Sequence, residues 1–205
     1  MKTFPFFWSM ALAFSFTKLI SAEELFGTHT LRNFQKTEHW HLAKSVAPDE
    51  KEPRHFVIEP EKKGKLLVNS IDRVKRLPYL FTKDEYGDVD VSLEFMIPKG
   101  SNSGVYLMGR YEVQITDSFE KDDHYSDENA QEYAGVPPIK NAAKASGEWQ
   151  KLDIKFRAPR FSKNQKTTNA LFESVHLNGT LVQKNVSVTG PTVSHPLKGE
   201  EKKDQ

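Results

Sequence analysis

The chain has 205 residues, 37% hydrophobic and 11% aromatic, enough for the core of one globular domain and too apolar for a chain disordered throughout. Its 29 Lys and Arg balance 28 Asp and Glu, so no global field gathers nucleic acid or holds the chain on an acidic membrane. With no cysteine, thiol nucleophiles, disulfides, thiolate metal sites and a lipidated N-terminal Cys are all excluded, and a metal would need His, Asp, Glu or Asn.

Lys2, the apolar run Phe4 to Phe16 and the small pair Ser21-Ala22 predict an export signal over residues 1–22. Lys18 interrupts the apolar run short of the roughly 20 residues of a membrane span, so the mature chain, starting near Glu23, is expected to be free of the membrane. From Glu23 to Lys63 the sequence is polar and punctuated by Pro48, Pro53 and Pro60, which predicts loops and short strands.

Asp88 to Ile97 alternates strictly: Val89, Val91, Leu93, Phe95 and Ile97 share one face, as expected of a half-buried strand. Lys99 to Gly104 is a turn by composition, with apolar residues resuming at Val105-Tyr-Leu-Met108. Tyr111, Val113 and Ile115 then oppose Arg110, Glu112 and Gln114 across the same period of two. Asp117 to Glu132 is acidic and poor in apolar residues, an expected exposed loop.

Leu152, Ile154 and Phe156 alternate with charged neighbours, and Val175 and Leu177 lead into Asn178-Gly179, a two-residue hairpin signal, with Thr180 to Val188 returning. The hairpin accounts for the glycosylation-like run Asn178-Gly-Thr180; Asn185-Val-Ser187 is of the same pattern. The tail 197–205 is charged and expected to be disordered. No segment sustains a helical apolar period, so the expected fold is all-β, with one domain over 23–196.

Ser101-Asn-Ser-Gly-Val-Tyr-Leu-Met-Gly-Arg-Tyr-Glu-Val-Gln-Ile-Thr-Asp-Ser118 resembles the signature of the 3-keto-disaccharide hydrolase domain family. Further runs follow the family order: Lys83-Asp-Glu-Tyr-Gly-Asp88, Pro137-Pro-Ile-Lys-Asn141, Gly147 to Phe161, His176 to Gln183 and Val188-Thr-Gly-Pro-Thr192. The resemblance covers about Leu66 to Thr192. It implies a two-sheet antiparallel jelly-roll sandwich of the concanavalin A-like lectin/glucanase type, in a bacterial periplasmic or secreted protein acting on sugars oxidised at C3. One departure stands at the end: the family pattern usually continues to a closing strand, whereas Val193-Ser-His-Pro-Leu-Lys198 leads only into the charged tail. A sheet lacking that strand would expose unpaired backbone.

A C3 ketone makes the C2 proton acidic, so the implied reaction is elimination at C1 followed by addition of water, a net hydrolysis of 3-keto-glycosides. It needs a base, a stabiliser of the developing oxyanion and an acid for the leaving oxygen. Arg110, Glu112 and Gln114 project from one strand face about 7 Å apart per step, which suits a ring of hydroxyls. In that scheme Arg110 faces the oxyanion, Glu112 is the base or a metal ligand, and Gln114 holds hydroxyls. By pattern alone the same row is a solvated sheet face with cross-strand ion pairs.

Asp117 and His124 complete the catalytic candidates, and with Asp127 they offer a proton shuttle or a divalent-cation site on what is otherwise an exposed polar loop. The sequence specifies no cofactor; a divalent cation is the candidate. Asn102, Gln114, Asn141 and Trp149 are the substrate-binding candidates, Trp149 as an aromatic platform or a cap on the core, Asn102 as a ligand contact or a turn residue. The expected partner is an oxidised glycoside supplied by a sugar 3-oxidoreductase. The competing readings are a carbohydrate-binding, non-catalytic module on the same scaffold, and a structural or protein-binding sandwich.

Overall fold

The structure, a computed structural model, describes residues 23–26, 31–35, 37–69, 79–122 and 136–192. The predicted export signal, the tail 197–205 and the 193–198 run lie outside the described residues. Among those described there is no helix; the elements are β1 (Phe34–Gln35), β2 (Trp40–Pro48), β3 (Phe56–Pro60), β4 (Leu66–Asn69), β5 (Phe81–Thr82), β6 (Val89–Phe95), β7 (Asn102–Leu107) and β8 (Tyr111–Thr116). They continue with β9 (Gln150–Arg157), β10 (Arg160–Ser162), β11 (Gln165–Thr168), β12 (Ala170–Leu177) and β13 (Thr180–Val188). Every pairing is antiparallel, and the strand order is β13-β12-β9-β6 in the main sheet, β3-β2-β4 in a second, with β7-β8, β1-β5 and β10-β11 as two-stranded ribbons.

The layers form because alternation puts one apolar face on each strand. Leu152, Ile154 and Phe156 of β9 are buried, as are Phe172 and Val175 of β12, and the β7-β8 ribbon covers them with Leu107, Tyr111, Val113 and Ile115. The Tyr111 ring lies 5.6 Å from that of Phe156, which in turn lies 5.2 Å from Phe172. These contacts join the two layers into the expected all-β sandwich, and each such fully buried side chain stabilises by about 1.5–3 kcal/mol. The β6 alternation is as the sequence predicts: Val89, Val91, Leu93 and Phe95 all pack on the core.

The outer face of the main sheet is laced by ion pairs. Arg157 on β9 reaches Asp90 of β6 at 3.0 Å and Glu173 of β12 at 2.8 Å, so one guanidinium ties three strands. Arg160 holds Asp88 at 2.6 Å, and the Ala158 N–H donates to the same carboxylate. The Arg160 hydrogen bond, despite partial burial, keeps the Asp88 carboxyl below its ordinary 3.8. A depressed carboxyl contributes stability above its unfolded pKa and loses it as pH falls through the folded one. Asp88→Asn is therefore expected to lower the urea midpoint at neutral pH, with the difference from wild type closing below about pH 4. Asp88 is 40% exposed in its side chain, so solvent screening holds the effect under about 1 kcal/mol.

The Asn178-Gly179 turn is as predicted, with φ of 53° and 79° and Leu177 opposite Thr180. Asn178 Nδ2 donates to Ala142 O and Gln150 Oε1, so its amide is committed inside the fold. The turn expected over Lys99 to Gly104 is present at its start, where Ser101 N–H donates to Pro98 O and Gly100 has φ 69°. It is shorter than expected: β7 already begins at Asn102, and the reversal that joins β7 to β8 is at Met108-Gly109, both at positive φ (53° and 62°), with Arg110 N–H donating to Leu107 O. Met pays a steric cost at that φ, so the dipeptide carries no turn signal in its residue types. The free edge of β13 is met by the 136–139 segment, where Ile139 N–H donates to Val182 O and Gln183 Nε2 to Val136 O. That contact pairs the Val182 carbonyl on an otherwise open edge.

Candidate functional site

The three-residue reversal Met108-Gly109-Arg110 fixes the register of β7 on β8 and thereby decides which side chains share a face. Leu107, Val105 and Ser103 pair with Tyr111, Val113 and Ile115 on the core side. Tyr106, Gly104 and Asn102 pair with Glu112, Gln114 and Thr116 on the other. The outward face of the ribbon thus gathers Asn102, Tyr106, Glu112 and Gln114, with Gln114 Nε2 donating to Asn102 Oδ1 at 3.2 Å.

Glu112 is half-buried, and the Tyr106 hydroxyl hydrogen-bonds its carboxylate. Burial first, and then that carboxylate, push the Tyr106 phenol far above its ordinary 10.0, so it remains a donor throughout the working pH range. Tyr79 stands edge-on to Tyr106, ring centroids 5.5 Å apart at 87°, and the two hydroxyls are also hydrogen-bonded. A carboxylate only accepts, so the Tyr106 O–H donates to Glu112, with the hydroxyl of Tyr79 bonded alongside. Tyr79 and Tyr106 are absent from the residues expected from sequence. The signal for Tyr106 was its place opposite Glu112, readable only once the reversal is located at Met108-Gly109.

The other edge of β8 is held by the end of the described chain. Thr192 N–H donates to Arg110 O at 2.9 Å, and Glu112 N–H donates to Thr192 Oγ1 at 3.2 Å. Arg110 and Thr192 are buried at 5% and 6% exposure, so Arg110 is a charged group engaged inside the fold, two residues before Glu112. A buried charge persists only when it is partnered, and its field is less screened than that of a surface cation.

The remaining expected residues fall elsewhere. Asp117, just past β8, accepts the Gly100 N–H at 2.8 Å and closes the entry to β7. Asn141 donates to Ser118 O and Lys121 O and accepts from Ala143 N–H, tying two loops together. Trp149 is 43% exposed just before β9, in phase with the outward Lys151 and Asp153 of the main sheet, and its carbonyl accepts from Lys144 Nζ. By strand phase it belongs to the layer opposite the ribbon's polar face. His124 and Asp127 lie outside the described residues.

A cavity of about 170 Å³ lies on the core side of β8, between it, β12, β13 and residues 136–143. Its lining mixes core side chains, including Val113, Leu152, Phe172 and Val182, with polar residues, among them Glu112, Gln114, Asn141 and Gln183, so three of the residues expected from sequence border it. Among the described residues no group of three His, Asp or Glu converges to hold a metal ion.

An antiparallel sandwich with a carboxylate-bearing polar row on its central hairpin is the class this geometry defines. The family model of the 3-keto-alpha-glucoside-1,2-lyase-like domain matches residues 21–203, and the chain belongs to that family. The match runs past residue 196, taking in the 193–198 run and most of the charged tail. Among solved structures the chain is similar to a "putative glycosyl hydrolase" from Parabacteroides distasonis ATCC 8503, at 27% identity over 60% of this chain and 56% of that one, with a TM-score of 0.49. The chain thus spans little more than half of that protein's length. No curated protein matches.

Proposed function

We propose that this chain is an exported bacterial enzyme, periplasmic or secreted, that cleaves 3-keto-glycosides by elimination and hydration. The observation that carries the reading is Glu112, held on an outward face beside Tyr106, Gln114 and Asn102, with Arg110 two residues before it in the reversal that opens the strand. Family membership supports the substrate class in this reading.

In this reading the Glu112 carboxylate takes the C2 proton, which the C3 ketone acidifies, and the electron pair of the broken C–H bond passes to the C3 oxygen. Arg110 opposes the charge of that enolate. Collapse of the enolate restores the C3 carbonyl, forms the C1–C2 double bond and breaks the bond from C1 to the leaving oxygen, which takes up a proton. Water then adds at C1 and a proton returns to C2, so the net change is hydrolysis. Gln114 and Asn102 each offer a donor and an acceptor to the hydroxyls. The route differs from the two-carboxylate oxocarbenium mechanism of ordinary glycosidases. The substrate requires a reaction that oxidises C3 beforehand, which makes a sugar 3-oxidoreductase the expected upstream partner.

The test is incubation of the pure protein with a 3-keto-disaccharide, following free monosaccharide and, in D2O, deuterium at C2. Monosaccharide release with C2 exchange is the expected result. Saturable sugar binding without product would replace this reading by a non-catalytic carbohydrate-binding module. Export predicts that the mature protein begins near Glu23, which N-terminal sequencing of secreted material reads directly.

A further inference from the structure

The strand that faces Glu112 carries a glycine where a side chain is expected. Gly104 lies in the middle of β7, opposite Gln114 and one step diagonally from Glu112. Its φ lies outside the left-handed region, so no backbone conformation demands glycine there. A glycine inside a strand weakens it and marks a close approach. The approaching group is Glu112 itself: a Cβ built on Gly104 would fall 2.2 Å from its Oε1 and 2.8 Å from its Cγ. Such a separation is below any real contact between these atoms.

Two positions along on the same face, Tyr106 donates its hydroxyl hydrogen bond to the same carboxylate. Beneath is bare backbone, beside is a phenol, and behind, the Glu112 N–H is tied to Thr192 Oγ1. We infer that Gly104 and Tyr106 form a seat that fixes the carboxylate of Glu112 for its reaction, Gly104 by leaving the space and Tyr106 by filling one acceptor position. Both are positioning residues, with Tyr79 backing Tyr106 through its hydroxyl and ring edge. The inference rests on Glu112 being the base of the proposed reaction, and it accounts for a glycine that strand propensity disfavours.

The seat can be removed without unfolding the protein. In Gly104→Ala the new methyl meets the far end of a flexible side chain, so Glu112 swings away while the strand, relieved of a glycine, keeps or gains stability. The expected result is an unchanged or slightly raised melting temperature, kcat down about a hundredfold and KM within about threefold, since a displacement near 1 Å costs that much. Tyr106→Phe keeps the ring and loses the hydroxyl; kcat falls about tenfold, and the acid limb of the kcat/KM profile moves to higher pH. The ionisable groups around Glu112 are Tyr106 from β7, Tyr79 from the segment before β5 through Tyr106, Arg110 from the reversal two residues before it and Lys140 on the same cavity, and the variant alters only the first. Gly87→Ala, whose added Cβ meets only Ala158 Cβ at 3.9 Å, serves as the control with wild-type kcat.

Full activity in a folded Gly104→Ala protein overturns the seat. A wild-type protein without turnover overturns the reaction instead. The seat is then read without substrate, by 13C NMR of labelled Glu112 in wild type, Gly104→Ala and Tyr106→Phe. Shifted carboxyl resonances with about a tenfold gain in proton affinity in Tyr106→Phe uphold it; a resonance and titration indifferent to both substitutions overturn it.

Discussion

Replacing Glu112 by Gln is expected to lower kcat on 3-keto-glycosides by roughly two to four orders of magnitude while the protein stays folded and still binds sugar. Gln keeps the shape and can still accept from Tyr106 and hold hydroxyls, but it cannot take the C2 proton. The side chain is half-buried on the outward face, away from the Phe156 core, so its loss leaves the sandwich intact. Steady-state kinetics with a melting curve measure both halves of the expectation. Loss of deuterium exchange at C2 in D2O assigns the defect to proton abstraction. A Glu112→Gln enzyme that retains wild-type kcat would remove Glu112 from the chemistry.

The largest expected effect on stability comes from Phe156→Ala. Phe156 is wholly buried and is the ring against which Tyr111 of the ribbon and Phe172 of the main sheet both pack. Truncating such a ring costs about 3–5 kcal/mol, made up of lost transfer energy and the cavity left behind. In a domain of this size the melting temperature should fall by roughly 10 °C. Tyr111 lies between Arg110 and Glu112 in sequence, so the loosened ribbon also degrades the polar face above it. Phe156→Leu, which refills most of the volume, should recover more than half of the loss. A cost below about 1 kcal/mol for Phe156→Ala would mean that the two layers do not depend on this contact.

The legible parts of the fold were those where burial and period coincide. β6 and β9 alternate cleanly because one face is core and the other water, and Asn178-Gly179 declares its turn, and with it the returning β13, through residues that tolerate positive φ. The β2 strand was hidden by its own exposure: Trp40–Pro48 pairs on both sides, yet only Ala43 is buried and a register shift between Ala43 and Ser45 breaks the alternation. Gly64, packed against the Ala43 backbone, is a close approach that sequence spacing does not reveal.

For the site, Arg110, Glu112 and Gln114 could be read as a row from their period of two, but β8 begins at Tyr111 and leaves Arg110 in the reversal, so only Glu112 and Gln114 share the strand. Their cross-strand companions could not, since pairing Tyr106 with Glu112 requires knowing that Met108 turns the chain at a φ few side chains adopt. Asp117 and Asn141 looked like chemistry and are found tying loops. Short polar side chains near chain reversals readily bond backbone groups, and composition does not tell the two uses apart.

The clasp between Thr192 and β8 also sets an order of events during biosynthesis. Eighty residues separate Glu112 from the threonine that receives its N–H, so the hairpin leaves the ribosome several seconds before its edge can be closed, at about 5–20 residues per second. Until the chain has been made as far as Thr192, the carbonyl of Arg110 and the amide of Glu112 lack these two partners. A product terminated before Thr192 therefore leaves this edge of β8 unclosed.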